Sequence, residues 1–207
     1  MKDLAFRTTP LHKCLLGMTL PITKDRFFQE IGTDSPKDFA KFTIKDISCY
    51  NNNSKWEHYE NNVVKPFKEI KTFAEKAGVY VVEDFSLSHL QQMSNFDIVT
   101  IVGHWVSSCE KVEMADGLYS TTGFFNAIPP NTECMLDLII CNSAILLEKI
   151  KQKFHDIIVF GNKEPINFNI AISVYRCIIY EMQRDKSLNY LDATVLAKNK
   201  IYQLFKK

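Results

Sequence analysis

Short apolar runs alternate with longer amphipathic stretches along most of the chain. The runs at 14–20, 79–82, 97–103, 135–141 and 156–161 are almost continuously apolar, which is typical of strands buried on both faces. Apolar residues recur at helical spacing in the stretches 63–77, 143–154, 166–182 and 188–205, and Ser86 or Ser88 begins a brief helix that ends near Met93. This alternation predicts an α/β fold: a mostly parallel central sheet with helices on both faces.

The pattern also predicts the core and the domain organisation. The least regular stretch runs from about 23 to 56, with turn signals at 32–36 and 51–54. A length of 207 residues without internal repeats predicts one domain, 1–207. The residues expected to be almost fully buried in adjacent parallel strands are Ile98, Val99, Ile101, Leu138, Ile140, Ile158 and Val159.

Composition excludes several classes of function. The 25 basic and 24 acidic side chains give a net charge of +1, so no basic field for nucleic acid is expected. No apolar run reaches the ~18–20 residues of a membrane span, and the first ten residues lack the apolar region of a signal peptide. We therefore expect a soluble, cytoplasmic protein that binds neither nucleic acid nor membranes.

The cysteines indicate a reducing compartment. They are scattered without a CxxC pair, and several lie inside apolar runs. His104, Cys109, Cys134 and Cys141 are the residue types that bind zinc, but their spacings match no structural zinc pattern. We expect no metal and no cofactor. The six cysteines are Cys14, Cys49, Cys109, Cys134, Cys141 and Cys177.

Candidate chemistry follows two of the predicted strands. The run 97–103 leads directly into His104 and Trp105, and the apolar run ending at Ile140 leads into Cys141 and small residues that open a helix. Ligands bind at the carboxyl ends of parallel strands, and a thiol nucleophile needs a neighbouring imidazole. Taken singly, a cysteine that ends an apolar strand is usually a small core residue, and a lone histidine is usually structural. Their joint placement favours a cysteine–histidine dyad.

The segment 79–205 resembles the caspase-like fold, and most closely its CHAT-domain branch, which is related to caspases and separases. The resemblance consists of an ordered set of features rather than one specific motif. An apolar strand ends at Gly103-His104, a linking segment contains 116–120, and a second apolar strand ends in Cys141 followed by Asn142-Ser143-Ala144. A helix, the apolar run ending at Gly161, and two further helices follow, the last opening with 186–188.

The resemblance implies that Cys141 is the nucleophile and that His104 is its general base and acid. It implies two oxyanion donors, the backbone N–H of Cys141 and one from the turn after His104, which falls on Trp105 here. The family has glycine directly after the histidine, whereas in this sequence Gly103 precedes it and Trp105 follows. The caspase pentapeptide around the cysteine is absent, so cleavage after aspartate is not implied.

The same resemblance assigns the substrate pocket to three places. The first is the loop after the first strand, 23–26, which includes Asp25. The second is the position two before the cysteine, Ile139, and the third is the strand end 162–164, which includes Asn162 and Glu164. The implied activity is that of a cysteine endopeptidase with a protein substrate and, as in many small proteases of this fold, an activating protein partner.

Two alternatives remain open at this point. The first is a catalytically inactive caspase-fold module for interaction or signalling, which the residue after His104 favours. The second is a doubly wound domain that binds a small molecule or phosphate, although neither a P-loop nor a GxGxxG follows any predicted strand. A serine hydrolase is excluded because the GxSxG motif is missing.

Overall fold

The computed structural model describes residues 8–31, 52–106, 110–140, 143–161 and 167–204, and its fold is α/β, as the sequence predicts. In these ranges one sheet contains the strands β1 (Cys14–Met18), β2 (Tyr80–Val82), β3 (Ile98–Val106), β4 (Lys111–Met114), β5 (Gly117–Ser120), β6 (Cys134–Ile140) and β7 (Ile157–Phe160). The α-helices are α1 (Lys24–Ile31), α2 (Asn52–Tyr59), α3 (Lys65–Ala77), α4 (Thr121–Ala127), α5 (Ala144–Lys153), α6 (Phe168–Arg184) and α7 (Tyr190–Leu204). Leu11–Lys13 and Leu87–Asn95 are 3-10 helices, and the π-helical turn Glu60–Val64 joins α2 to α3.

The sheet is parallel in five neighbouring strands, in the order β2-β1-β3-β6-β7. β3 lies in the middle, with Ile101 beside Gly17 of β1 on one side and Leu138 of β6 on the other. All five carboxyl ends therefore meet at one edge of the sheet, which is where open α/β sheets bind their ligands. β4 and β5 add an antiparallel hairpin to the end of β3.

Helices cover both faces of the sheet. On one face, which we call the α6–α7 face, Val102 and Ile139 of the strands pack in a cluster with residues of α1, α2, α3, α6 and α7. On the other, the α5 face, Ile101 and Ile140 pack with α4, α5 and the 3-10 helix Leu87–Asn95. Six of the seven predicted core residues are buried. Ile158 is only partly buried. It lies on the α6–α7 face of β7, whereas its neighbours Ile157 and Val159 are buried on the α5 face.

The stretch predicted to be irregular, 23–56, contains α1 and the beginning of α2, so that part of the prediction is wrong. Residues 32–51 of this stretch are outside the described ranges. Tyr59, at the end of α2, stacks on Phe27 of α1 with ring centroids 4.6 Å apart. Its hydroxyl donates a hydrogen bond of 2.8 Å to the carbonyl of Pro21. This tertiary packing stabilises a helix whose own sequence has little amphipathic pattern.

β3 is longer than the sequence predicts. It continues past Gly103 to Val106, because β4 pairs with this extension. The hairpin lies on the β1 side of β3: the amide of Ala115 donates to the carbonyl of Phe85 (3.0 Å), and the amide of Phe85 donates to the carbonyl of Met18 (2.8 Å). The other side of the extension therefore faces the carboxyl end of β6.

Candidate functional site

His104 lies at the carboxyl edge of the sheet, in the extension of β3. Its neighbour in the register is Glu113 of β4, and only 6% of its surface is exposed. Val112, the next residue on β4, packs in the core of the α5 face. Because side chains alternate along a strand, Glu113 and His104 both point to the α6–α7 face.

The strand register brings the two halves of the predicted dyad to the same place in the sheet. Gly103 pairs with Ile140, so the residues that directly precede His104 and Cys141 lie side by side on neighbouring parallel strands. Val102 pairs with Ile139 one step earlier. Cys141 itself is outside the described residues, and the pairing of its thiol with the imidazole stays a prediction.

The chain after β6 leads quickly into a helix. Cys141 and Asn142 separate Ile140 from Ser143, which is fully buried and accepts a hydrogen bond of 2.8 Å from the amide of Leu147. The Ser143 side chain fills the space that a Cβ on Gly161 would need, so a glycine at the end of β7 permits close packing here. Only three residues separate the end of β6 from the N-terminus of α5, where the helix dipole is positive.

The structure has no turn at Trp105, where the resemblance implies one. Trp105 is an extended residue of β3 and pairs with Val112 of β4. The sequence predicts that the strand ends at Gly103 because the apolar run ends there. In the structure, pairing with β4 prolongs the strand to Val106. The assignment of the Trp105 N–H as an oxyanion donor stays a prediction, and it now concerns a strand residue.

The predicted substrate-binding positions are only partly described. Ile139 is buried on the α6–α7 face, and Asp25 is exposed in the first turn of α1. Asn162 and Glu164 lie outside the described residues. Arg26, the neighbour of Asp25, does reach the carboxyl edge: its guanidinium donates to the carbonyls of Thr19 and Leu20 just after β1 and pairs with Asp84 at 2.6 Å. The resemblance includes Arg26 in the predicted pocket segment 23–26, but nothing in the sequence predicts these contacts.

A small cavity of about 50 Å³ lies under the α6–α7 face, between β6, β7 and the two helices. Ile139 and Gly161 line it near the edge of the sheet, and Asp137, Tyr190 and Lys198 supply its polar groups. The Tyr190 hydroxyl donates to an oxygen of Asp137 at 2.7 Å. Burial raises the pKa of the Asp137 carboxyl, although the Tyr190 hydrogen bond and Lys198 act in the opposite direction.

The sequence contains one signal for this polar cluster. Asp137 interrupts an otherwise apolar strand, and a charged residue in such a run is expected to have a partner. Nothing in the sequence identifies that partner as Tyr190, which is 53 residues away. The hydroxyl of Thr100 on β3 lies 3.4 Å from that of Tyr190 and extends the cluster to the central strand.

The described cysteines are poor nucleophiles. Burial, with a smaller contribution from Asp97, raises the pKa of Cys14 and of Cys134 to about 12. Burial also raises the pKa of Cys177 on α6. Cys49 and Cys109, like Cys141, lie outside the described residues. Within the described ranges no group of His, Cys, Asp and Glu side chains is arranged to hold a metal ion.

Comparison with known proteins adds no family assignment. No protein-family model matches this sequence, and no curated protein matches it either. None of the helices in the described part of the chain has the length and apolar character needed to cross a bilayer.

Proposed function

We propose that this protein is a caspase-like cysteine endopeptidase of the CHAT type, with Cys141 as nucleophile and His104 as general base and acid. The observation that carries the proposal is the pairing of Gly103 with Ile140, which directly precede these two residues. A buried histidine at the carboxyl edge of a parallel sheet, next to a strand that leads into a cysteine and a helix, has the placement this chemistry needs.

In the proposed reaction the Cys141 thiolate forms a C–S bond to the peptide carbonyl carbon, and the carbonyl electron pair moves to oxygen. When the C–N bond breaks, the His104 imidazolium donates its proton to the leaving amine, which leaves a thioester on Cys141. His104 then takes a proton from water as the water oxygen attacks the thioester. The C–S bond then breaks, which releases the carboxylic acid and regenerates the Cys141 thiolate beside the His104 imidazolium. The amine has already left in the first step.

The chemistry of the other cysteines makes a direct test possible. Because burial raises the pKa values of Cys14, Cys134 and Cys177, a reactive thiol at position 141 will stand out from them. We expect brief iodoacetamide treatment at pH 7 to modify Cys141 before any other cysteine, as measured by mass spectrometry. His104→Ala slows this modification, whereas the matched variant His155→Ala, which removes an exposed histidine, leaves it unchanged.

Cleavage is tested with a proteome-derived peptide mixture, in which new termini are identified by mass spectrometry. We expect Cys141→Ala to abolish new termini and the control Cys177→Ala to preserve them. Equal cleavage by the Cys141→Ala variant, or a Cys141 that reacts no faster than Cys177, contradicts the proposal. The thiol measurement is independent of the substrate, and repeating it with any activating partner separates a closed enzyme from an inactive one.

The extended geometry of Trp105 favours a second candidate, an inactive caspase-fold module that binds other proteins. A strand residue engaged with β4 does not turn its N–H toward a neighbouring site in the way that a glycine turn does. This candidate predicts a Cys141 that is no more reactive than Cys177. The peptidase proposal includes a protein substrate. It also includes a reducing compartment such as the cytoplasm, which fits the unpaired thiols of Cys14, Cys134 and Cys177.

A further inference from the structure

A buried carboxylate lies directly beside the candidate base. Glu113 of β4 is the register partner of His104, and residues directly opposite on antiparallel strands have Cβ atoms about 4.5–5.5 Å apart on the same face. Only 6% of the surface of each residue is exposed. A glutamate is almost never buried to this extent unless its charge is paired.

The other strand neighbours of Glu113 leave the imidazole as its best-placed partner. Its register partner on β5 is Leu118, which carries no charge, and Val112 and Met114 on either side of it point to the α5 face. The charged residue that shares its face on the described part of the hairpin is Lys111, two positions away and opposite Val106 and Ser120. Positions two apart along one strand are farther apart than a directly opposed pair.

We propose that the Glu113 carboxylate accepts a hydrogen bond from the His104 ring and acts as its positioning residue. A carboxylate in this position fixes the ring orientation and favours the imidazolium that the thiolate requires. The catalytic consequence rests on the proposed peptidase function, whereas the pairing of the two side chains does not.

The histidine titration tests the pairing without any substrate. In the full-length Cys141→Ser protein, which lacks the thiolate, NMR follows labelled histidines, and His104→Gln assigns the resonance. We expect His104 to titrate above the ordinary histidine pKa of about 6.5. A buried histidine without a carboxylate partner titrates below that value, because desolvation disfavours the charged ring. That result overturns the proposal even if no Glu113 variant folds.

Substitutions then identify the carboxylate. Glu113→Gln is expected to lower the His104 pKa by about one unit or more, whereas Glu113→Asp retains much of the elevation. The matched control is Glu133→Gln, which removes an exposed carboxylate at the opposite edge of the sheet and leaves the titration unchanged. If the principal partner of Glu113 is Lys111, Glu113→Gln leaves the His104 pKa unchanged, as Glu133→Gln does, and the proposal is wrong.

The alkylation rate of Cys141 connects the pairing to catalysis. In the wild-type background Glu113→Gln is expected to slow the reaction of Cys141 with iodoacetamide at pH 7 roughly tenfold, the equivalent of one pKa unit. A Cys141 that is inert in every variant overturns the peptidase function, while an elevated His104 titration in the same protein still supports the pairing. A normal Cys141 rate in the folded Glu113→Gln variant overturns the positioning role.

Discussion

The side chain of Thr19 occupies the space that any larger residue at Gly103 would need. A Cβ built on Gly103 would lie 2.5 Å from Thr19 Oγ1. Thr19 is fully buried, and its amide donates a hydrogen bond of 2.9 Å to the carbonyl of Val102, so its backbone cannot withdraw easily. The end of β1 is thereby packed against the residue that precedes His104.

Gly103→Ala is expected to lower the free energy of unfolding by about 1–3 kcal/mol, because the new methyl group overpacks this contact. Urea denaturation measures the change. In a Thr19→Ala background the same substitution is expected to cost less, since the opposing side chain has been removed. The control is Gly123→Ala in α4, where the nearest atom would be 3.4 Å from the new Cβ. Additive effects of the two substitutions at 19 and 103 would contradict this interpretation.

Ile140→Ala is expected to destabilise the protein by about 2–5 kcal/mol, because Ile140 is fully buried in the α5-face core and its truncation leaves a cavity. Chemical denaturation of this variant and of Val195→Ala provides the comparison. Val195 is 52% exposed on α7, and its truncation is expected to change stability little. Similar losses in the two variants would show that the burial of Ile140 does not set the cost.

Asp137→Asn is expected to change the pH dependence of stability in a defined direction. Burial raises the pKa of the Asp137 carboxyl in the folded state above its ordinary value of 3.8. At pH values between the unfolded-state pKa and the raised folded-state pKa, the folded protein binds more protons than the unfolded protein. The contribution of Asp137 to the free energy of unfolding therefore falls as pH rises through this range. Asparagine lacks this contribution, and its amide oxygen can still accept the Tyr190 hydrogen bond.

The stability of Asp137→Asn relative to wild type should therefore increase with pH from 3.8 until Asp137 ionises in the folded protein. Urea denaturation of both proteins at a series of pH values measures the difference, in which unrelated groups cancel. Asp156→Asn, at an exposed position before β7, is the control and should show no such trend. A difference that stays constant with pH would mean that burial does not govern this carboxyl.

The thiols of Cys14 and Cys134 are expected to react with iodoacetamide only when the protein unfolds. With a pKa of about 12, the thiolate is about one part in ten thousand at pH 8, and both side chains are almost completely buried. Mass spectrometry of a labelling time course, with and without urea, checks this. Modification of either residue in the native state at the rate of Cys177 would contradict the assignment.

The sequence predicts the parallel sheet well because its strands are recognisable from local pattern. The apolar runs at β1, β3 and β6, and the glycine after α3, follow rules that depend on neighbouring residues. Gly78 indeed adopts a positive φ of 96° and ends the helix.

What the sequence does not predict depends on contacts between distant segments. The α2 helix is stabilised by the packing of Tyr59 on Phe27, and the β3 extension exists because β4 pairs with it. The partner of Asp137 is likewise far along the chain. The placement of His104 at the sheet edge is predictable, but its pairing with Glu113 requires the register of the hairpin.

The hydrogen bond from Tyr190 to Asp137 has a consequence for the order of events during synthesis on the ribosome. β6 emerges with a carboxyl group in its middle, and the hydroxyl that satisfies this group is made 53 residues later. Until α7 has emerged, water must hydrate this carboxylate, and the apolar α6–α7 face beside it stays open to solvent. A partly built sheet of this kind is prone to aggregation, so α7 both covers the face and supplies the partner of the buried carboxyl group.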